Sequence, residues 1–474
     1  MLPQGGRMEI HMNQLDTIAA ISTPYGKGGI AVLRVSGEDA VAIAEKVFEP
    51  LNGKALSDIE NCKAVYGKIF EDKNGNKNQI DDGIAVCFRA PRSFTGEDTV
   101  EISCHGGILI TQKVLTALLQ AGARMALPGE FTKRAFINGK MTLTGAEGLG
   151  DLLEATTDEQ IGLARANMRG VLSGEIKEIY DSLCYVLSAI FAHIDYPDED
   201  LADISREEML SISTANLRRL NKLARTYSTG RAVTGGIPTV ILGRTNAGKS
   251  SLYNKLVGRD AAIVTDIEGT TRDLLTETAK LGRTILRLSD TAGLRESGDT
   301  VEKIGIDRAR QAAETAELIL AVFDGSKLPD DKDLEFAEYL QTLDGIKVAV
   351  INKSDLGTLP QVTEMSQKFD YSCLISAESG VGLDRLEQLI ELIYIDHDLD
   401  TGNDAIISNA RQMAAVSSAI EALKLGIEAI EADLPLEICC AEIEHTLSAL
   451  GELDGKTVSE DIVSGIFANF CVGK

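Results

Sequence analysis

At roughly one domain per 150 residues, a chain of 474 predicts about three domains. Its 44% hydrophobic content suits a large core, and no apolar run approaches the roughly 18–20 residues that cross a bilayer. The formal net charge of −25 argues against a broad basic face for nucleic acid, so any RNA contact must be local or made by a partner. Residues 1–13 lack the apolar core of a signal peptide, which predicts a cytoplasmic protein. The eight cysteines (62, 87, 104, 184, 373, 439, 440 and 471) include no CxxC pair. Reduced thiols, rather than a zinc site or a disulfide framework, follow.

Residues 1–14 read as a leader. Strands are predicted at Thr17-Ile18-Ala19-Ala20-Ile21 and Gly28-Gly29-Ile30-Ala31-Val32-Leu33-Arg34-Val35, then over 64–70, 82–88 and 99–104. Helices are predicted over 37–48, 107–119 and 130–138. This describes a compact α+β domain spanning residues 1–137. Beyond it Leu172, Ile176, Ile179, Leu183, Val186 and Ile190 alternate in steps of four and three, the seam of a long packed helix. Ile194-Asp195-Tyr196-Pro197-Asp198 breaks it, because proline cannot continue a helix. Further helices are expected over 207–226, 410–432, 436–450 and 459–470. The economical architecture is multidomain α/β plus α. One discontinuous helical bundle (138–235 and 396–474) is interrupted by an inserted Ras-like P-loop domain over 236–395.

The insertion carries the chemistry. Thr239-Val240-Ile241-Leu242 leads into Gly243-Arg244-Thr245-Asn246-Ala247-Gly248-Lys249-Ser250 and then Ser251-Leu252-Tyr253-Asn254-Lys255-Leu256. A strand, a glycine loop and a helix N-terminus in that order make a phosphate-binding loop. Lys249 would reach the β- and γ-phosphates and the Ser250 hydroxyl would ligate Mg²⁺. Asp290-Thr291-Ala292-Gly293 follows the alternating strand Ile285-Leu286-Arg287-Leu288. There Asp290 would hold the Mg²⁺ hydration shell and Gly293 would offer its N–H to the γ-phosphate. Asn352-Lys353-Ser354-Asp355 follows Val348-Ala349-Val350-Ile351, and Ser376-Ala377 comes later. Asp355 can accept from both the ring N–H and the exocyclic amine of guanine. Adenine lacks that pair, so the site should select GTP. In the loop between, a hydroxyl of Thr270-Thr271 can complete Mg²⁺. The residue after the DTAG run is Leu294, where Ras-type proteins carry a water-orienting glutamine. Glu302 is either its replacement or a solvated carboxylate in the first turn of a helix. No arginine finger is evident.

With these motifs the sequence resembles the MnmE (TrmE) family of tRNA modification GTPases over nearly its full length, from Asp16 to Lys474. The markers are Thr23-Pro24, Gly28-Gly29-Ile30, Ser93-Phe94-Thr95-Gly96-Glu97-Asp98, His105-Gly106-Gly107 and Pro128-Gly129-Glu130-Phe131. They continue with Arg134-Ala135-Phe136, Asn138-Gly139-Lys140, Thr265-Asp266-Ile267, Arg272-Asp273 and Phe470-Cys471-Val472-Gly473-Lys474. Val472 stands where the family usually has isoleucine.

The resemblance implies an N-terminal domain that binds 5-formyl-tetrahydrofolate and forms a homodimer. Contacts would fall at Arg34, Glu101 and Lys140, with Lys474 nearby, although each charge could instead be an exposed strand or loop residue. It implies K⁺ in place of an arginine finger, coordinated by Asn246 and by backbone oxygens of the 265–270 loop, at Thr265, Ile267 and Thr270. It makes Glu302 the water-orienting group, and G domains of two subunits would meet in the GTP state. The nucleotide contacts it implies are Asn246, Ala247, Gly248, Lys249, Ser250, Ser251, Thr265, Asp266, Ile267, Glu268, Gly269, Thr270 and Thr271. With them come Asp290, Thr291, Ala292, Gly293, Asn352, Lys353, Ser354, Asp355, Ser376, Ala377 and Glu378; Mg²⁺ would use Ser250 and Thr271. Cys471 is either a redox or nucleophilic residue or a buried structural thiol. The family works with a flavoprotein, MnmG, to place an aminomethyl-type group on C5 of a tRNA wobble uridine, and that partner could supply the basic surface. The alternatives are an Era- or Der-like switch in ribosome assembly, for which no KH domain or second G domain is visible, and a folate-like domain kept only for dimerisation.

Overall fold

The computed structural model describes residues 16–73, 75–195, 205–258, 276–289, 312–455, 457–468, 470 and 472–473. Contacts divide the chain into two compact units, one holding 1–150, 167–197 and 440–474, the other 151–166 and 198–439. The helical segments are therefore shared between the two.

In the first unit, strands β1 (Ile18–Ile21), β2 (Ile30–Ser36), β3 (Phe48–Pro50), β4 (Ala64–Lys73), β5 (Asn76–Phe88), β6 (Thr99–His105) and β7 (Arg124–Met125) form one sheet. Its order is β3-β4-β5-β6-β2-β1-β7, antiparallel except for the β1–β7 pair. Alternate residues of β2 and β6 (Ala31, Leu33, Val35; Val100, Ile102, Cys104) turn into one core. Helices Ala40–Val47 and Ile108–Gln120 contribute Val41, Ala44, Val114 and Leu118 to it.

Two expectations are corrected here. The helix predicted to reach Phe48 stops at Val47, and Phe48 starts β3 opposite Ile69. Pro50 disfavours helical geometry in the residue before it, so the chain is extended there. A Cβ on Gly67, which faces Pro50, would lie 2.5 Å from the Phe48 ring, so that close approach needs glycine. The strands predicted over 64–70 and 82–88 run on into one long hairpin. Its far arm, Asn76-Lys77-Asn78-Gln79, is exposed and polar, and no apolar alternation marks it.

The predicted seam is buried: Leu172, Ile176, Ile179, Leu183, Val186 and Ile190 of helix Val171–Asp195 are each at most 1% exposed. Helix Glu460–Ala468 packs Val463 and Phe467 against Leu143 and Ala146 of helix Leu143–Glu154. Lys133 Nζ donates to Ser464 Oγ at 3.0 Å and Ser22 Oγ to the Gly473 carbonyl at 3.2 Å, which ties the end of the chain to the N-terminal sheet.

In the second unit, strands β8 (Ile237–Gly243), β9 (Thr276–Leu281), β10 (Thr284–Ser289), β11 (Leu318–Asp324), β12 (Ile346–Asn352) and β13 (Tyr371–Leu374) form a six-stranded sheet. Its order is β13-β12-β11-β8-β10-β9, parallel apart from the β9–β10 hairpin. The central strands read as unbroken apolar runs because both faces are covered. Leu252 and Leu256 of helix Lys249–Gly258, with Leu386 and Ile390 of helix Leu383–Tyr394, lie on one side. Leu340 of helix Asp331–Gln341 and Val362 of helix Pro360–Ser366 lie on the other. The strand order reverses beside β8, so the loops after β8, β11 and β12 open at one end of the sheet. Helix Arg206–Arg225 pairs with Ala410–Glu431 in the same unit. No helix among the described residues is long and apolar enough to cross a membrane.

Candidate nucleotide site

The glycine loop leaves β8 at Gly243 and enters helix Lys249–Gly258. Asn246 has a left-handed backbone (φ 64°) and Gly248 has φ 100°. A Cβ on Gly248 would lie 2.0 Å from Asn352 Nδ2, so glycine is required there sterically as well as conformationally. Lys249 is half-buried, and its Nζ donates to the Arg244 carbonyl at 2.8 Å. Removal from water holds its pKa below the ordinary lysine value. A half-desolvated ammonium with a neutral carbonyl for a partner has donors left for an anion, and the charged form gains when one binds. Ser250 and Ser251 are exposed on the first turn.

Asn352, at the end of β12, joins three motifs. Only 2% exposed, it donates through Nδ2 to the Ala247 carbonyl (2.9 Å) and accepts at Oδ1 from the Ala377 N–H (2.8 Å). Ser354 N–H donates to the Ile375 carbonyl at 3.0 Å, and the Ser376 hydroxyl accepts from Ser379 N–H at 3.2 Å. Glu378 is exposed. Asp355 is exposed one residue beyond these ties. Lys353 has φ 63° and donates to Asp324 Oδ2 at 2.7 Å. Burial alone would raise the Asp324 carboxyl, but hydrogen bonds from Lys353 and Ser326 outweigh it and hold the pKa below the usual carboxylate value.

Sequence reasoning missed Asp324. It closes an apolar strand in register with Asn352, and that register is not written along the chain. Arg244 of the glycine loop pairs with Asp330 and, at 3.0 Å, with Asp333. Asp330 caps helix Asp331–Gln341 in a reciprocal capping box, and the Arg244 guanidinium holds its pKa at about 2. Arg244 thereby fixes the glycine loop to a neighbouring helix. The cleft beside it, lined by Thr245, Ala247, Asp324 and Lys327, reaches neither Lys249 nor Ser250.

Thr265, Asp266, Ile267, Glu268, Gly269, Thr270, Thr271, Asp290, Thr291, Ala292, Gly293, Leu294, Glu302, Cys471 and Lys474 lie outside the described residues.

In the N-terminal sheet Arg34 and Glu101 stand directly opposite on β2 and β6. Arg34 Nε and Nη2 donate to Glu101 Oε1 at 2.9 and 2.8 Å, and the guanidinium lies 5.2 Å from the Phe94 ring centre and 5.6 Å from that of Phe131. Arg34 is thus not a free cation. Lys140, exposed, donates to the Pro91 carbonyl at 2.8 Å. The Ser93–Asp98 and Pro128–Phe136 stretches meet in a partly buried polar network: Arg134 donates to Glu97 and to Glu130, and Arg124 donates to both Glu130 oxygens. Ser36 Oγ joins through Glu97 and Thr95. Burial would raise Glu130, but Arg124, the Leu127 N–H and Arg134 hold its pKa below the usual value.

Residues 17–140 match the model described as the GTP-binding protein TrmE N-terminus, and residues 143–471 match the MnmE helical domain. The tRNA modification GTPase MnmE of Lactococcus lactis subsp. lactis (strain IL1403) is 39% identical over 462 residues, covering 97% of this chain and 99% of the relative. The chain belongs to the MnmE family. The MnmE of Bacillus licheniformis is 38% identical over 466 residues (97% and 100% covered), and that of Clostridioides difficile (strain 630) is 35% identical over 461 (97% and 99%). Among solved structures, Aquifex aeolicus Era bound to GDP and AlF4⁻ is 26% identical over 40% of this chain and 66% of its own, with a TM-score of 0.27. The Arg124–Glu130–Arg134–Glu97 network lies within the TrmE N-terminal match, and the glycine loop and Asn352 lie within the MnmE helical-domain match.

Proposed function

We propose that this MnmE-family chain hydrolyses GTP to GDP and that hydrolysis serves the modification of tRNA. The observation that carries the reading is Asn352, buried between the Ala247 carbonyl of the glycine loop and the Ala377 N–H. One side chain thereby gathers a phosphate loop, a guanine-reading carboxylate and a base-backing loop. Relatives 35–39% identical over 97% of the chain bear the name tRNA modification GTPase, so the ribosome-assembly alternative is not favoured.

In this reading Lys249 and the N–H groups of residues 246–251 receive the phosphates, and Asp355 accepts from guanine. Ser250, on the exposed first turn, and Thr271 would hold Mg²⁺, which neutralises charge on the phosphate oxygens. Asn246, exposed with its backbone in the left-handed region, suits a cation ligand and would hold K⁺ with the oxygens of Thr265, Ile267 and Thr270. Glu302 orients the attacking water, since Leu294 cannot hydrogen-bond. Arg34 and Glu101, already paired, together offer donors and an acceptor to 5-formyl-tetrahydrofolate, with Lys140 and Lys474. The working unit is a cytoplasmic homodimer that acts with the flavoprotein MnmG on the wobble uridine. The proposed domains are 1–137, 138–235, 236–395 and 396–474.

Calorimetry with Mg²⁺ present tests the core of this reading: GDP should bind at least about a hundredfold more tightly than ADP. Equal affinities end it. Turnover in KCl should exceed that in NaCl at equal ionic strength, and Glu302→Ala should slow hydrolysis with nucleotide affinity unchanged. Equal rates in the two salts remove K⁺ from the mechanism.

A further inference from the structure

The run from Asn352 to Ser354 is tied down residue by residue. Asn352 is fixed through its side chain and Ser354 through its N–H to Ile375. Lys353, in a left-handed backbone conformation, is fixed through its ammonium to Asp324. Asp324 is itself immobilised: Oδ1 accepts from the Ser326 hydroxyl at 2.6 Å and the Ser326 N–H at 3.1 Å, while Oδ2 takes Lys353. Its side chain is 13% exposed, and its backbone stands opposite Asn352 in the sheet, where Gly325 N–H also donates to the Asn352 carbonyl at 2.8 Å. The strap therefore joins two adjacent parallel strands across their ends. Asp355, the next side chain out, is exposed.

We propose that Asp324 is a positioning residue for guanine recognition: by holding Lys353 it fixes the loop that presents Asp355 to the base. This inference rests on the guanine-nucleotide reading above and adds a residue to it. A carboxylate that must accept from two neighbouring donors tolerates little displacement, so loosening its loop costs the exocyclic-amine contact most. Inosine lacks that amine, and the ratio of GDP to IDP affinity therefore reports the Asp355 contact separately from phosphate binding.

The test measures GDP, IDP and ADP affinities of the full chain with Mg²⁺. Asp324→Asn should lower the GDP/IDP ratio by about tenfold, the loss of one charge-assisted hydrogen bond. Lys353→Met removes the strap from its other end and should lower the ratio equally, and Asp324→Asn added to Lys353→Met should lower it no further. A merely structural Asp324 would weaken GDP and IDP alike, or would act undiminished in the Lys353→Met background. Either result overturns the proposal, as does an unchanged ratio. If the parent protein fails to prefer GDP to ADP, the guanine reading itself fails and takes the proposal with it. A parent that prefers GDP beside an Asp324→Asn variant of unchanged ratio sinks the proposal alone.

Discussion

Gly248 lies so close to Asn352 that it has no room for a side chain. Alanine at 248 would have to place its Cβ 2.0 Å from Asn352 Nδ2, in a backbone conformation that L side chains rarely adopt. Gly248→Ala should weaken GDP binding by more than about tenfold, seen by calorimetry, while the melting temperature of the N-terminal sheet stays put. Glu130 makes a second prediction at this scale. Its side chain is 1% exposed and receives Arg124 and Arg134, so Glu130→Gln leaves two guanidiniums short of a buried partner and should cost about 3 kcal/mol. Because its folded pKa is depressed, the stabilisation is fully present above the ordinary glutamate value of about 4.3 and fades as pH falls through the lower folded value. Melting temperatures of parent and variant should converge on acidification below that value. A gap that stays constant to low pH would show that the carboxylate charge is not what stabilises.

Elements were legible where burial imposes an apolar pattern and obscure where it imposes none. The 172–190 seam could be read because a long packed helix repeats its apolar positions every three or four residues. Leu183→Ala should therefore open a cavity and destabilise by about 2–5 kcal/mol, visible as a lower midpoint in denaturant for the first unit. The outer half of the β4–β5 hairpin could not be read, since both of its faces meet water and Asn76 to Gln79 carry no apolar alternation. Phe48 was drawn into the preceding helix because hydrophobic spacing alone does not report that Gly67 leaves room for it on a neighbouring strand. The candidate nucleotide motifs could be read for a different reason. Phosphate loops and guanine-reading carboxylates depend on short contiguous runs whose backbone geometry is local. Asp324 and the Arg34–Glu101 pair escaped because their partners come from other strands, and no spacing along the chain records a cross-strand contact.

For the whole molecule the constraint is charge. A chain of net charge −25 repels a polyanion, so the proposed action on tRNA has to pass through a local site or a more basic partner, and affinity of the isolated chain for tRNA should be weak and, with few phosphate contacts, only shallowly salt-dependent. In the proposed function GTP hydrolysis supports the uridine modification, and that coupling can be tested without unfolding the chain. Lys249 is the place to break it: its ammonium is half-desolvated against one carbonyl, and truncation removes a half-buried charge rather than a packed apolar group. Cells lacking this chain should accumulate tRNA whose wobble uridine lacks the C5 substituent, measured by mass spectrometry of digested nucleosides. Supplying the parent should restore the substituent, whereas supplying Lys249→Ala at equal abundance should not. Restoration by Lys249→Ala would mean that the folded scaffold suffices and that GTP turnover serves some other end.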